Sequence, residues 1–218
     1  MKNNPFDLYT LEYEEWFKEN PLTFQSEVLA LQQLLPKSKN GIEIGIGSGI
    51  FARALGIKSG IDPSENMLDI ARKRNLTVEN AYAERLPYPD QSFDFALFIT
   101  SICFIEHPEK AMKEAWRIIK TGGEVIIAFI DKQSTLGQQL IADKEDSKFY
   151  GTANFFSVPE INALLTRSNF EVSTCVQTLM NPTSKKIEKP VKGFGKGGFV
   201  VVKGIKKEAQ TTPKAVKP

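Results

Sequence analysis

The chain has 218 residues, with 28 lysines and arginines against 26 acidic side chains, a formal net charge of +2 and 41% hydrophobic residues. That length and composition suit one soluble α/β domain with a full core. Much of the basic excess falls after Gly193, at Lys196, Lys203, Lys206, Lys207, Lys214 and Lys217. The domain body is therefore near neutral, which argues against a nucleic-acid partner, because such a face needs Lys and Arg concentrated on the folded body.

The opening segment MKNNPFDLYTLEYEEWF is acidic and aromatic and does not read as a signal peptide. No apolar run approaches the length of a membrane span, so a cytoplasmic protein without membrane contact is expected. Tyr9, Tyr13, Trp16 and Phe17 recur at the spacing of one helix face. They form either an amphipathic helix packed on a sheet or a lid over a pocket. Residues 1–39 are taken as an N-terminal helical lid region of a single domain, 1–206.

From residue 41 apolar runs alternate with helical patterns. Gly41–Ile46 reads as a buried parallel strand, Ile50–Leu55 as a short helix and Ile57–Ile61 as a second strand. Ser64 caps a helix whose buried face is Met67, Leu68, Ile70 and Ala71. Leu76–Val78 begins a third strand and Phe93–Ile99 is a central fourth. Pro108 opens a helix that Gly122-Gly123 ends, and Glu124–Ile130 is the fifth strand. Leu136–Phe149 looks helical and polar, and Ser157 with Glu160 makes a capping box for the next helix. Phe170–Leu179 and Phe199–Ile205, joined by the loop Asn181–Gly198, read as an antiparallel hairpin at the sheet edge. Residues 207–218 are expected to be a disordered tail. The sum is a Rossmann-like α/β fold: a seven-stranded sheet, mostly parallel, with an antiparallel C-terminal hairpin and helices on both faces. Ligands in such sheets bind beyond the carboxyl ends of the strands.

The loop after the first strand is Glu43-Ile44-Gly45-Ile46-Gly47-Ser48-Gly49. Glycines there let backbone amides approach a ligand at a helix N-terminus. Alone the pattern is weak, because Gly47 to Ala52 also fits a dinucleotide-binding fingerprint, and a turn without any ligand fits too. Glu43 lies inside the strand, where a nicotinamide-binding strand is normally apolar, and can face a positive ligand end. Asp62 ends the second strand, where an acid accepts ribose hydroxyls; its alternative is to cap the following helix. Cys103 and Cys175 have no metal or redox spacing and read as reduced core thiols, so no metal site is expected.

The run GIEIGIGSG, then GIDPSENMLDIARKR, then AYAERLPYPDQSFDFALFITSICFIEHPEKAMKEAWRIIKTGGEVIIAFI, resembles the class I S-adenosylmethionine (SAM)-dependent methyltransferases. The nearest branch is the small type 11 group related to ubiquinone- and menaquinone-biosynthesis enzymes, and the flanks are similar to a prokaryotic subset labelled histamine-methyltransferase-like. The resemblance implies SAM as cofactor and methyl transfer to a small-molecule acceptor by in-line displacement. It implies that Glu43, Gly45, Gly47 and Gly49 line the methionine part of the cofactor. It implies further that Asp62 holds the ribose, that Met67 packs by the adenine with Ala83 and Glu84 at its edge, and that Thr100 sits near the methyl group. Tyr82 stands where many relatives have Asp or Asn, and Cys103 and Phe104 stand where many have two histidines.

Tyr13, Trp16 and Phe104 are candidate substrate walls, each with a plain core alternative. His107, the only histidine, reads as a helix-flanking residue rather than a general base, since no orienting partner is evident. The Lys192–Gly198 segment reads as a flexible loop rather than a pocket rim. Two other functions remain open: a non-catalytic SAM-binding regulatory protein, and an NAD-dependent oxidoreductase.

Overall fold

The computed structural model describes residues 4–38, 40–181 and 183–207. The expected tail lies, except for Lys207, outside the described residues.

Three helices lead in: α1 (Pro5–Leu8), α2 (Thr10–Glu19) and α3 (Pro21–Leu34). Then follow β1 (Gly41–Ile44), α4 (Ile50–Leu55), β2 (Ser59–Asp62), α5 (Glu65–Lys73), β3 (Thr77–Asn80), β4 (Phe93–Ile99), α6 (Pro108–Ile118) and β5 (Ile119–Ile130). The last third holds α7 (Thr135–Ala142), α8 (Val158–Arg167), β6 (Phe170–Thr178), β7 (Val191–Lys192) and β8 (Phe199–Lys206). The sheet runs β3-β2-β1-β4-β5-β8-β6-β7. Strands β1 to β5 pair in parallel, and β8 pairs antiparallel with both β5 and β6. The order reverses between β1 and β4, which opens a crevice at their carboxyl ends.

Alternation along β4 builds two cores. Phe95, Leu97 and Ile99 face Leu31, Phe51 and Leu68 of α3, α4 and α5. Ala96 and Phe98 face Met112, Ile118, Ile161 and Leu165 of α6 and α8. Burial on both faces explains why β4 is a continuous apolar run rather than an alternating one. The caps read from the sequence are present: the Ser64 Oγ accepts from the Met67 amide, and Ser157 with Glu160 forms a full capping box.

Some details differ from expectation. The sheet has eight strands rather than seven, because the 181–198 loop folds back and lays Val191–Lys192 along β6. The hairpin is not simply an edge: β8 inserts between β5 and β6, so its second strand is interior and fully apolar at Phe199–Val202. Helix α6 stops at Ile118, before the glycines. Lys206 reaches from β8, donates to the carbonyls of Trp116 and Ile119 at 2.7 Å each, and lies 3.9 Å from the centre of the Trp116 ring. A distant lysine thus satisfies the helix end that Gly122-Gly123 was expected to close. The α7 helix covers only the first part of the expected Leu136–Phe149 stretch. Cys103 is a buried free thiol, and Cys175 is a free thiol that is only partly buried.

Candidate functional site

A cavity of about 720 Å³ opens at the carboxyl ends of β1, β2 and β4, a size that accommodates a nucleoside cofactor together with a small acceptor. Its floor is the loop after β1. Gly45 sits at φ +77, and a Cβ built on it would fall 2.4 Å from the Ser101 Cβ. Gly47 sits at φ +53, with the Tyr13 hydroxyl the nearest atom over it at 3.8 Å from that built position. Gly45 demands glycine for close approach and for backbone angle, Gly47 for backbone angle alone.

Asp62 ends β2 and is locked to this loop. Its Oδ2 accepts from the Gly47 amide at 2.8 Å and its Oδ1 from the Ser64 amide at 2.9 Å. Burial pushes its carboxyl up to about 6, against those two bonds, which lower it. Glu43, inside β1, is 1% exposed, and its Oε2 has no hydrogen-bond partner among the described residues. Burial, then the charge of Asp62, raises the Glu43 carboxyl well above its ordinary value. Thr100, just beyond β4, is held at φ +49, a strained angle for a β-branched residue, while its amide donates to Ala128.

The N-terminal helices close over this floor. Asp7 of α1 accepts from the Ser64 Oγ, and its carbonyl accepts from the Asn66 amide group at 2.9 Å. Glu14 of α2 pairs with Arg74 at the end of α5, and Arg74 also donates to the Ser48 carbonyl at 2.6 Å. Tyr13 therefore hangs over the glycine loop. Its phenol is raised well above its ordinary value, first by burial and then by Glu43 and Asp62. Phe6 packs edge-on against Phe104 (4.9 Å between ring centres), and Phe104 stacks on Tyr150 at 5.9 Å.

Of the residues singled out in the sequence, Gly45, Gly47, Asp62, Ala83, Glu84, Thr100, Tyr13, Trp16 and Phe104 all line this one cavity. Glu43 is not in the cavity wall; it is buried in β1, near enough to Asp62 to feel its charge. Gly49 and Met67 also stand apart from the cavity. Gly49 is the N-cap of α4, and a Cβ there would meet Leu76 at 2.2 Å, so its glycine serves packing. Met67 is fully buried on the inner face of α5. The Glu84 carboxylate accepts from the His107 amide at 3.1 Å. His107 itself is exposed at the head of α6, makes no side-chain cap and does not line the cavity. Sequence reasoning missed Ser101, whose hydroxyl donates to the Ile44 carbonyl at 2.7 Å, and Glu27 and Tyr150 in the cavity wall. Glu27 had a legible signal, since it falls on the stripe Glu27, Ala30, Leu31, Leu34 that α3 buries.

The model of the methyltransferase-domain family (type 11) matches residues 42–127. An uncharacterized protein of Methanocaldococcus jannaschii is 42% identical over 204 residues, covering 93% of this chain and 99% of its own. A crystal structure from Thermotoga maritima, described as a SAM-dependent methyltransferase and possible histamine N-methyltransferase, superposes with a TM-score of 0.90. It is 45% identical and covers 93% of this chain and 98% of that one. The chain belongs to the class I SAM-dependent methyltransferases of type 11. A ubiquinone/menaquinone biosynthesis C-methyltransferase of Rickettsia bellii is 30% identical over 154 residues, 62% of this chain and 59% of that one.

The matched family segment carries the part of the cavity wall built on β1, β2 and β4. The rest of the cavity wall, from Tyr13, Trp16 and Glu27 to Phe149, Tyr150 and Leu179, lies outside residues 42–127. No helix among the described residues is long and apolar enough to cross a membrane, and no group of three or more His, Cys, Asp or Glu among them is placed to hold a metal ion.

Proposed function

We propose that this methyltransferase binds SAM through the loop after β1 and the end of β2 and passes its methyl group to a small-molecule acceptor by in-line displacement. The observation that carries the reading is a pair of carboxylates at the glycine loop, Asp62 half-buried and bonded to it and Glu43 fully buried in the strand that leads into it. Asp62 grips the Gly47 amide, and Glu43, two residues before Gly45 in β1 and within reach of the Asp62 charge, keeps one oxygen unpartnered. A buried carboxylate oxygen left without a donor is costly unless a ligand supplies one. The donor set suits this cofactor. Gly45 and Gly47 leave room for its amino-acid end, Glu43 meets its ammonium directly or through water, and Asp62 accepts from the ribose hydroxyls. Ala83 and Glu84 stand where the adenine edge would lie.

SAM supplies an already activated methyl group, so the protein has to align the acceptor and exclude water rather than provide an obligatory acid or base at the sulfonium. The aromatic roof from Phe6 through Tyr13 to Phe104 is suited to that exclusion, and α1 and α2 serve as a lid tethered through Asp7 and Glu14. Calorimetry against SAM, S-adenosylhomocysteine and NAD, followed by a labelled-methyl acceptor screen, tests the proposal. Micromolar binding of the two adenosyl ligands and none of NAD is expected. Tight NAD binding would overturn it.

A further inference from the structure

Glu27 stands apart from the other acids of the cavity wall. It lies on the core-facing stripe of α3, is 5% exposed, and spends that exposure on the cavity. No hydrogen bond or ion pair reaches its carboxylate among the described residues, and burial alone pushes it up to about 8. The other acids of the cavity wall are engaged or at the rim. Asp62 holds the glycine loop, Glu84 accepts from His107, Glu188 accepts from the Met180 and Asn181 amides, and Glu106 is exposed. Lys186, exposed at the rim, is the one cationic side chain among the described wall residues. Burial raises the Tyr150 phenol, with Cys103 and then Glu27 adding to it, and Tyr150 stacks on Phe104.

An acidic wall with aromatic faces and one buried, unpaired carboxylate matches a cation carried on an apolar body. Glu27 has no part in the cofactor contacts proposed above, so it belongs to the acceptor half. We propose that the acceptor is a protonated amine on a flat or apolar body, and that Glu27 holds its ammonium and takes its proton. This rests on the methyltransferase reading and names its substrate class.

The step balances. The ammonium gives one proton to the Glu27 carboxylate, leaving a neutral amine. The nitrogen lone pair forms the new bond to the methyl carbon as the carbon–sulfur bond breaks, with its electron pair staying on sulfur as a thioether. The product leaves as an N-methylated ammonium, and Glu27 returns its proton to solvent. Without such an acceptor the amine would stay protonated near neutral pH and have no lone pair to donate.

The test is titration calorimetry of the full chain with bound S-adenosylhomocysteine, at pH 7 in buffers of different ionisation heat. The probes are 2-phenylethylamine, tryptamine and ethylamine, with 2-phenylethanol and 3-phenylpropanoate as neutral and acidic counterparts. At least one aromatic amine is expected to bind about tenfold or more tighter than the alcohol, with the carboxylate weakest and with net proton release, because Glu27 must ionise to receive an ammonium. Glu27→Gln should lose that preference and the proton release while keeping S-adenosylhomocysteine affinity. Preference for the alcohol or carboxylate, failure of every amine to bind, or a Glu27→Gln protein that binds amine as before would overturn the proposal. If S-adenosylhomocysteine itself does not bind, it is the methyltransferase reading that fails.

Discussion

Replacing Glu27 by leucine should stabilise the protein, and by an amount that depends on pH. The carboxyl ionises at about 8 in the fold against an ordinary 4.5. Between those values the folded state holds the proton that the unfolded state has lost, so stability falls as pH rises from 4.5 and the full penalty is reached above 8. At about 1.4 kcal/mol per unit of offset, the handicap at pH 7 is about 3 kcal/mol. Leucine removes it. For a chain of this size, where 1 kcal/mol moves the midpoint by roughly 2–4 °C, the Glu27→Leu protein should melt about 6–12 °C higher relative to the native chain at pH 7 than at pH 4.5. Thermal unfolding of both proteins at half-unit pH steps measures this. Asp62 and Glu43 are also raised, first by burial and then by Asp7 and by Asp62 respectively, while burial alone raises Glu27, so the difference between the two curves isolates the α3 carboxyl. Parallel curves from pH 4.5 to 8, or a leucine variant less stable at pH 7, would show that Glu27 is a satisfied structural group and refute the argument.

Asp62→Ala should weaken SAM binding roughly 10- to 100-fold by calorimetry while circular dichroism stays unchanged, since each hydrogen bond to a charged group is worth about 1.5–3 kcal/mol. Because the Asp62 carboxyl is pushed up to about 6 and must be ionised to accept from both ribose hydroxyls, affinity in the native protein should fall as pH drops through 6; a flat profile from pH 5 to 8 contradicts the assignment. Gly45→Ala should lower the melting temperature and abolish SAM binding, through its left-handed angle and the clash with Ser101. Adding Ser101→Gly should restore part of the stability; no recovery would place the damage elsewhere. His107→Ala should leave turnover within about twofold, the usual limit for an exposed side chain without a partner, and a 100-fold drop would reinstate it as a base.

The alternation of apolar runs with helical patterns was enough to read the parallel half of the fold, and strand-end position alone pointed to the glycine loop and Asp62, while Thr100 came from the family resemblance. β4 matches its expected bounds, and the glycine loop, Asp62 and Thr100 meet in one cavity because strand ends in such a sheet are forced to one side. These features are local: a run's period, a glycine's missing side chain and a cap's oxygen act within a few residues. The tertiary structure decided what depends on distant partners. α6 ends where Lys206, far along the chain, supplies the missing donor, and β8 lies inside the sheet because both its faces find apolar cover. The stripe on α3 marks Glu27 as inward-facing, but only the packing of that helix sets it in the cavity wall. Burial is a property of the whole fold, and burial is what turns an ordinary carboxylate into a group that needs a ligand.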